Sequence, residues 1–304
     1  MDYILETHGL TKVYGQKTAV NNVDLHIREG QIYGLIGRNG AGKTTIMRMI
    51  SGLATPTRGE YSLFGKTGPE MRKELRNVGV LIEDPGIFPR LSAYENLKIK
   101  CIAMGIRPEG YVEEMLKTVG LERTDRKKPS SSYSLGMRQR LGIGLALVGE
   151  PKLIVLDEPI NGLDPQGIAE VRETLARLRD QKGITMMISS HILDELSKLA
   201  DVYGIIHEGS LIDEFTVEQL HARSEQYVKI RTDNDEAAVR ALAGMGLRSV
   251  FYEHGTIRVT ERLDETAAMA KAIVDAGVGL REMYVNVLSL EDYFLRMTGG
   301  NYNG

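Results

Sequence analysis

Apolar and polar positions alternate from residue 3 to residue 36, with turn signals at Gly9, at Tyr14-Gly15 and at Glu29-Gly30. A period of two broken by turns predicts short, largely antiparallel strands. The alternation ends in a continuous apolar run, Ile32 to Ile36, and Ile46 to Ile50 then reads as helix. Asn77 to Ile82 predicts a strand that stops at Glu83. From about 90 to 140 the period lengthens. Leu91, Tyr94, Leu97 and Cys101 recur at helical spacing, as do Val112, Met115, Leu116 and Val119. This predicts a helical insertion between two core strands, closed by a helix from Gly136 through Val148. Leu153 to Leu156 is apolar at every position, the pattern of a strand buried on both faces of a parallel sheet. Ile168, Val171, Leu175 and Leu178 mark one face of the next helix, and Ile184 to Ile188 another strand.

Beyond Phe215 the order is strand (Tyr227 to Arg231), helix (Asp235 to Ala243), two strands about the turn Glu253-His254-Gly255, helix (Asp264 to Ala276) and strand (Arg281 to Val285). That βαββαβ order is the ferredoxin-like one. An amphipathic helix, Leu290 to Met297, follows. The chain is therefore expected to be α/β, with a large domain over 1–216, a linker over 217–225 and a small α+β accessory domain over 226–304.

Composition narrows the function. The 304 residues suit one large domain plus a small one. A net charge of −3 and a pI near 6.1 argue against a nucleic-acid partner, which usually selects a strongly basic surface. The longest uncharged apolar run, Leu141 to Gly149, is flanked by Arg140 and Glu150 and is far too short to span a bilayer. The start of the chain lacks a basic stretch before an apolar core, so no secretory signal is expected. The single cysteine, Cys101, excludes an internal disulfide and fits a reducing cytosol. Its apolar setting predicts a buried structural thiol. Arg123, Arg126, Lys127 and Lys128 form a loose basic cluster. A solvated loop is the ordinary reading, and a contact with anionic headgroups the sharper one.

The chemistry concentrates in two places. Gly37-Arg38-Asn39-Gly40-Ala41-Gly42-Lys43-Thr44-Thr45 satisfies G-x-x-x-x-G-K-[ST] between a strand and a helix. That context makes it a phosphate-binding loop of the P-loop NTPase kind. Glycines let successive N–H groups point at one anion, and the helix adds its positive end. Lys43 is expected to reach the β- and γ-phosphates, and the Thr44 hydroxyl to ligate Mg²⁺. Leu153 to Leu156 leads into Asp157-Glu158-Pro159. Carboxylates at the C-terminal end of a parallel strand sit where open α/β sheets bind ligands. Asp157 is expected to hold the Mg²⁺ shell and Glu158 to polarise the attacking water. Alone, both acids read equally well as caps of the next helix.

Three further segments occur in order: Tyr133-Ser134-Leu135-Gly136-Met137-Arg138-Gln139-Arg140, Asn161-Gly162-Leu163-Asp164-Pro165 and Ser189-Ser190-His191. With the two above they resemble the signature motif, D-loop and switch histidine of ATP-binding-cassette (ABC) ATPases, over roughly residues 2 to 216. The resemblance implies an ABC-ATPase core with an antiparallel β subdomain and a helical insertion. It also implies ATP and Mg²⁺ as ligands, an adenine stack on Tyr14, and His191 donating to the γ-phosphate. In the family the signature acts in trans. Ser134, Leu135, Gly136 and Met137 of one subunit would then face the phosphate loop of the other in a two-fold dimer, with Asp164 in the D-loop. The signature departs from L-S-G-G-Q at Tyr133, Leu135 and Met137 but keeps Ser134 and Gly136, which carry the phosphate contact.

Without a spanning segment, the moving part is expected to be a separate membrane permease, with this chain cytoplasmic and peripheral on the inner face of the membrane. Glu83 stands where most of the family has Gln. It is expected to substitute for that residue near Mg²⁺ and the γ-phosphate. Its surroundings, with the signature helix and Leu288-Ser289-Leu290-Glu291-Asp292-Tyr293-Phe294, resemble the ATPases of bacitracin and lantibiotic exporters. The resemblance implies export of a peptide antibiotic or related amphiphile; the ATPase subunit of another ABC-2-type exporter, a soluble non-transport ABC protein acting on ribosomes or DNA, and a regulatory module that only senses ATP stay open as alternatives.

Overall fold

The computed structural model describes residues 3–223, 226–248, 250–253, 256–286 and 289–299. The expected turn residues His254 and Gly255, and Leu288, lie outside the described residues. Two compact units divide the chain, residues 1–217 and 218–304.

The first unit begins with β1 (Tyr3–Tyr14), β2 (Lys17–Val23) and β3 (His26–Arg28), then β4 (Ile32–Ile36), α1 (Lys43–Ile50), β5 (Arg58–Leu63) and α2 (Gly68–Glu74). Next come β6 (Val78–Leu81), α3 (Ala93–Ala103), α4 (Tyr111–Thr118), α5 (Leu135–Leu147), β7 (Leu153–Asp157) and α6 (Pro165–Lys182). It closes with β8 (Thr185–Ser190), α7 (Leu193–Leu196), β9 (Val202–His207) and β10 (Ser210–Thr216). β1 pairs antiparallel with β2, β3 and β5. A six-stranded sheet runs β10-β9-β4-β8-β7-β6. It is parallel throughout except for β10, which folds back on β9. Every residue of β4, β7 and β8 is buried, as continuous apolar strands in a sheet covered on both faces must be. Ile46, Met47, Met49 and Ile50 of α1 are fully buried in one core with Leu5, Leu10, Val20 and Leu35. The helical insertion is α3 and α4, with Cys101 buried within α3.

Helix starts carry the caps their sequence suggests. Ser92 forms a capping box with Glu95, the Ser134 hydroxyl accepts from Met137 N, and Asp164 accepts from Gly167 N just before Pro165. The C-terminal end of α5 runs hard against β6. A side chain at Gly79 would overlap the carbonyl oxygen of Ala146, and one at Gly142 would collide with Pro85. No helix among the described residues is long and apolar enough to cross a membrane.

Two buried tyrosines couple this core to pH. The Tyr33 hydroxyl donates to Glu214 Oε1 at 2.8 Å, and Tyr203 donates to the Ala200 carbonyl at 3.2 Å while its ring meets Phe215. Burial pushes the Tyr203 phenol up to about 12, with the Asp201 charge adding to it. Burial, then Glu214, also holds Tyr33 well above its usual range. An unfolded tyrosine ionises near ~10. The raised folded value means that this stability is complete below pH ~10 and is lost as pH rises toward about 12. Urea denaturation at stepped alkaline pH should show a falling unfolding free energy across that window. The slope should be shallower in a Tyr33→Phe, Tyr203→Phe double variant. Equal slopes in the two proteins would remove the tyrosines from the account.

The division falls at the first residue of α8 (Val217–Ala222), and the second unit continues with β11 (Tyr227–Thr232), α9 (Asp235–Gly244), β12 (Val250–Glu253), β13 (Thr256–Val259), α10 (Thr266–Asp275), β14 (Leu280–Asn286) and α11 (Leu290–Met297). Most of the stretch read as a linker is thus helical, anchored by buried Leu220. The strands form one antiparallel sheet in the order β12-β13-β11-β14. This is the ferredoxin-like order, with Val228, Ile230, Ile257 and Val259 packed on Ala238, Leu242, Met269 and Ile273.

Candidate nucleotide-binding site

Three neighbouring parallel strands, β4, β8 and β7, end at one level. Their registers pair Ile36 with Ser190 and Asp157 with Ser189. The loop that leaves β4 curls into α1 through Gly42, the N-cap residue, at φ 113°. A β-carbon at Gly42 would lie 2.7 Å from the Ala19 carbonyl oxygen, so the turn excludes any side chain. The loop is therefore compact and presents backbone N–H groups at a helix N-terminus, the arrangement that binds phosphate.

The side chains form a chain of contacts. Lys43 is buried, 6% exposed. Its ammonium donates to the Gly37 carbonyl at 2.6 Å and stands 3.3 Å from Glu158 Oε1. Thr44 donates to Asp157 Oδ2 at 2.8 Å. Ser189 donates to Asp157 Oδ1 at 2.5 Å and accepts from Glu158 N at 2.9 Å. His191 Nδ1 lies 2.8 Å from Glu158 Oε2. Glu158 itself adopts φ 50°, a left-handed conformation uncommon for a residue with a side chain. Its Oε1 is buried, close enough to Lys43 for an ion pair but without a hydrogen bond. A buried carboxylate oxygen with unused accepting capacity beside a phosphate loop can take a proton from a water molecule.

A cleft of about 310 Å³ opens here, lined among others by Tyr14, Lys17, Arg38, Asn39, Gly40 and Thr45. Tyr14 is 45% exposed, with the Lys12 ammonium 4.9 Å from its ring centre, so one aromatic face is available at the rim. Asp157 and Thr44, hydrogen-bonded to each other at 2.8 Å, offer one carboxylate and one hydroxyl oxygen beside the phosphate loop. No cluster of three or more His, Cys, Asp or Glu able to hold a metal exists among the described residues. Such a sparse set suits Mg²⁺, which takes one or two protein oxygens and completes its shell with phosphate and water.

Other expected site residues lie elsewhere. Ser134 caps α5. Gly136 is buried beside Gly167 and Leu163, and Leu135 is 42% exposed. Tyr133, the first departure from the common signature, is buried, and its hydroxyl accepts from Ala93 N at 3.0 Å, tying the signature to the start of α3. Asp164 serves as the cap of α6. Glu83 is held by Arg48 Nη2 at 2.6 Å. Two participants carry no signal of their own in the sequence. Ser189 belongs to the segment that ends in the switch histidine, and its register opposite Asp157 makes it the bridge between the two acids. Arg48 gave no signal, since its partner is 35 residues away.

Comparison with known proteins agrees with this geometry. The ABC transporter family matches residues 20–161. A bacitracin transport ATP-binding protein of Enterococcus faecalis is 42% identical over 302 residues, 99% of this chain and 98% of that one. A lantibiotic transport ATP-binding protein of Streptococcus pyogenes is 46% identical over 209 residues, 69% of this chain and 89% of that one. The solved structure of cbiO1 from Clostridium perfringens, part of the ABC transporter complex cbiONQ, aligns with a TM-score of 0.66 at 29% identity, over 73% of this chain and 92% of that one. Near-complete coverage at such identity, joined to a phosphate loop with an acid pair facing it, leaves one conclusion: the chain belongs to the ABC transporter family, as an ATP-hydrolysing cassette.

Proposed function

We propose that this chain powers export of a peptide antibiotic or a related amphiphile, as the ATPase subunit of a transporter whose permease is a separate membrane protein. The cassette is then peripheral on the inner face of the membrane. The cargo class rests on the likeness to bacitracin and lantibiotic transport proteins. The observation that carries the catalytic part is the placement of Glu158 between Lys43 and His191.

In this reading the phosphate loop, residues 37 to 45, grips the triphosphate through its N–H groups, and Lys43 neutralises the β- and γ-oxygens. Tyr14 stacks on the base. Thr44 and Asp157 would hold Mg²⁺, which when bound screens the phosphate charge. Glu158 accepts a proton from the water that attacks the γ-phosphate, and His191 fixes the carboxylate and donates toward the departing phosphoryl oxygens. Ser134, Leu135, Gly136 and Met137 of a second copy close over the γ-phosphate. Asp164 and its D-loop line the same junction, so ATP holds the dimer shut and hydrolysis opens it.

Deleting the gene should lower resistance to bacitracin-type or lantibiotic peptides several-fold in a killing assay. Resistance should return with the wild-type chain and not with a Glu158→Gln copy. Unchanged sensitivity to every peptide tested would discard the cargo class while leaving the ATPase intact.

A further inference from the structure

β6 and β7 are parallel neighbours, in register at Val80↔Val155 and Leu81↔Leu156. Two residues beyond this register, past the end of each strand's pairing, stand Glu83 and Glu158. Both have left-handed backbones, φ 60° and φ 50°. Both meet a cation from α1: Lys43 Nζ lies 3.3 Å from Glu158, and Arg48 Nη2 lies 2.6 Å from Glu83. The phosphate-loop helix thus supplies one counter-ion to each of two acids on the same sheet edge. Five residues, a rise of roughly 7.5 Å, separate the two cations. The pairs differ in exposure. Lys43 and Glu158 side chains are 6% and 20% exposed, Arg48 and Glu83 39% and 60%.

We infer that Arg48 is a positioning residue, which holds the Glu83 carboxylate neutralised and turned away from the nucleotide's phosphates. This rests on the reading of the cleft as an ATP site. Three observations converge. The Glu83 carboxylate is committed to Arg48, with Nη2 donating to Oε1 at 2.6 Å. A glutamine at position 83 would need no counter-ion, whereas a carboxylate beside a triphosphate adds a repulsive charge. An exposed ion pair is weak, so binding of nucleotide with its cation can open it at small cost and free Glu83 to turn inward. Guanidinium suits the task because it stays charged at every working pH.

The test is equilibrium binding of a fluorescent N-methylanthraniloyl ATP, once with excess Mg²⁺ and once with chelator, to the full chain. The readout is the ratio of the two dissociation constants. Arg48→Ala should weaken chelated binding far more than Mg²⁺ binding, raising the ratio about five- to tenfold. Arg48→Lys should stay near wild type. Glu83→Gln combined with Arg48→Ala should return the ratio to that of Glu83→Gln alone. A ratio unmoved by Arg48→Ala, or moved by the same factor with Gln at position 83, overturns the role. If Arg48→Ala melts early, Arg48→Gln in the same four-protein comparison decides. Wild-type protein that fails to bind the probe at all would instead overturn the reading of the cleft, so the two failures are separable.

Discussion

Replacing Glu158 by glutamine should slow ATP turnover about a hundred- to ten-thousandfold, the share a positioned general base ordinarily supplies, while nucleotide affinity stays near wild type. The amide keeps the carboxylate's shape. One of its ends can still accept from His191, and its backbone N–H still donates to Ser189. What is lost is the basic oxygen near Lys43. Because ATP then persists, two copies should remain closed around it, and the variant should elute as a dimer with ATP and Mg²⁺ but as a monomer with ADP. The measurements are phosphate release in the steady state and gel filtration with each nucleotide. Phosphate release at the wild-type rate would take the base away from Glu158.

The second large effect concerns Lys43. Its ammonium is buried, donates to Gly37 O and faces Glu158. Lys43→Ala should weaken ATP binding about a hundredfold, close to 2.8 kcal/mol at 1.4 kcal/mol per factor of ten. Two causes add. The phosphates lose their nearest cation, and the buried Glu158 carboxylate is left facing them without a counter-ion. Lys43→Arg separates charge from fit: the guanidinium keeps the charge but has no room where Nζ sits 2.6 Å from a carbonyl. If geometry matters, the arginine variant also binds poorly. If the arginine variant binds as wild type, charge alone is what the loop requires. Alanine binding as tightly as lysine would remove the phosphate role altogether.

Much of the nucleotide site is legible because its signals are local. The phosphate loop is contiguous, and the all-apolar run from Leu153 to Leu156 is enough to declare a doubly covered strand and so to aim Asp157 and Glu158 at a ligand edge. Ser134 and Asp164 lie in contiguous motif segments, and the structure uses them as the caps of α5 and α6. The βαββαβ order of the second unit is readable too, with β11 and β13 each burying alternate residues. What escapes is either half-polar or non-local. β5, Arg58–Leu63, is exposed in its first half and buried in its second, so it lacks a clean period. α2 buries only Met71 and looks like loop. Residues 217–222 are too short and polar to stand out from a linker, with Leu220 the single buried anchor. The Ser189 bridge depends on the register of two strands distant in sequence. The Arg48 grip on Glu83 depends on where α1 ends in space. The positive φ of Glu158 and Glu83 is likewise invisible, because neither residue type favours it.

The tight seating of α5 against β6 has a mechanical meaning. The helix spans 13 residues, roughly 20 Å, with Ser134 at one end and Ala146 wedged on Gly79 near the other. Pro85, two residues past Glu83, presses on it at Gly142. No slack exists at either glycine, so α5 acts as a strut. In the proposed dimer, a push on the signature end by a second copy's nucleotide would pass along this helix to the strand that leads into Glu83. The two half-sites of one cassette would then be yoked through a rigid member.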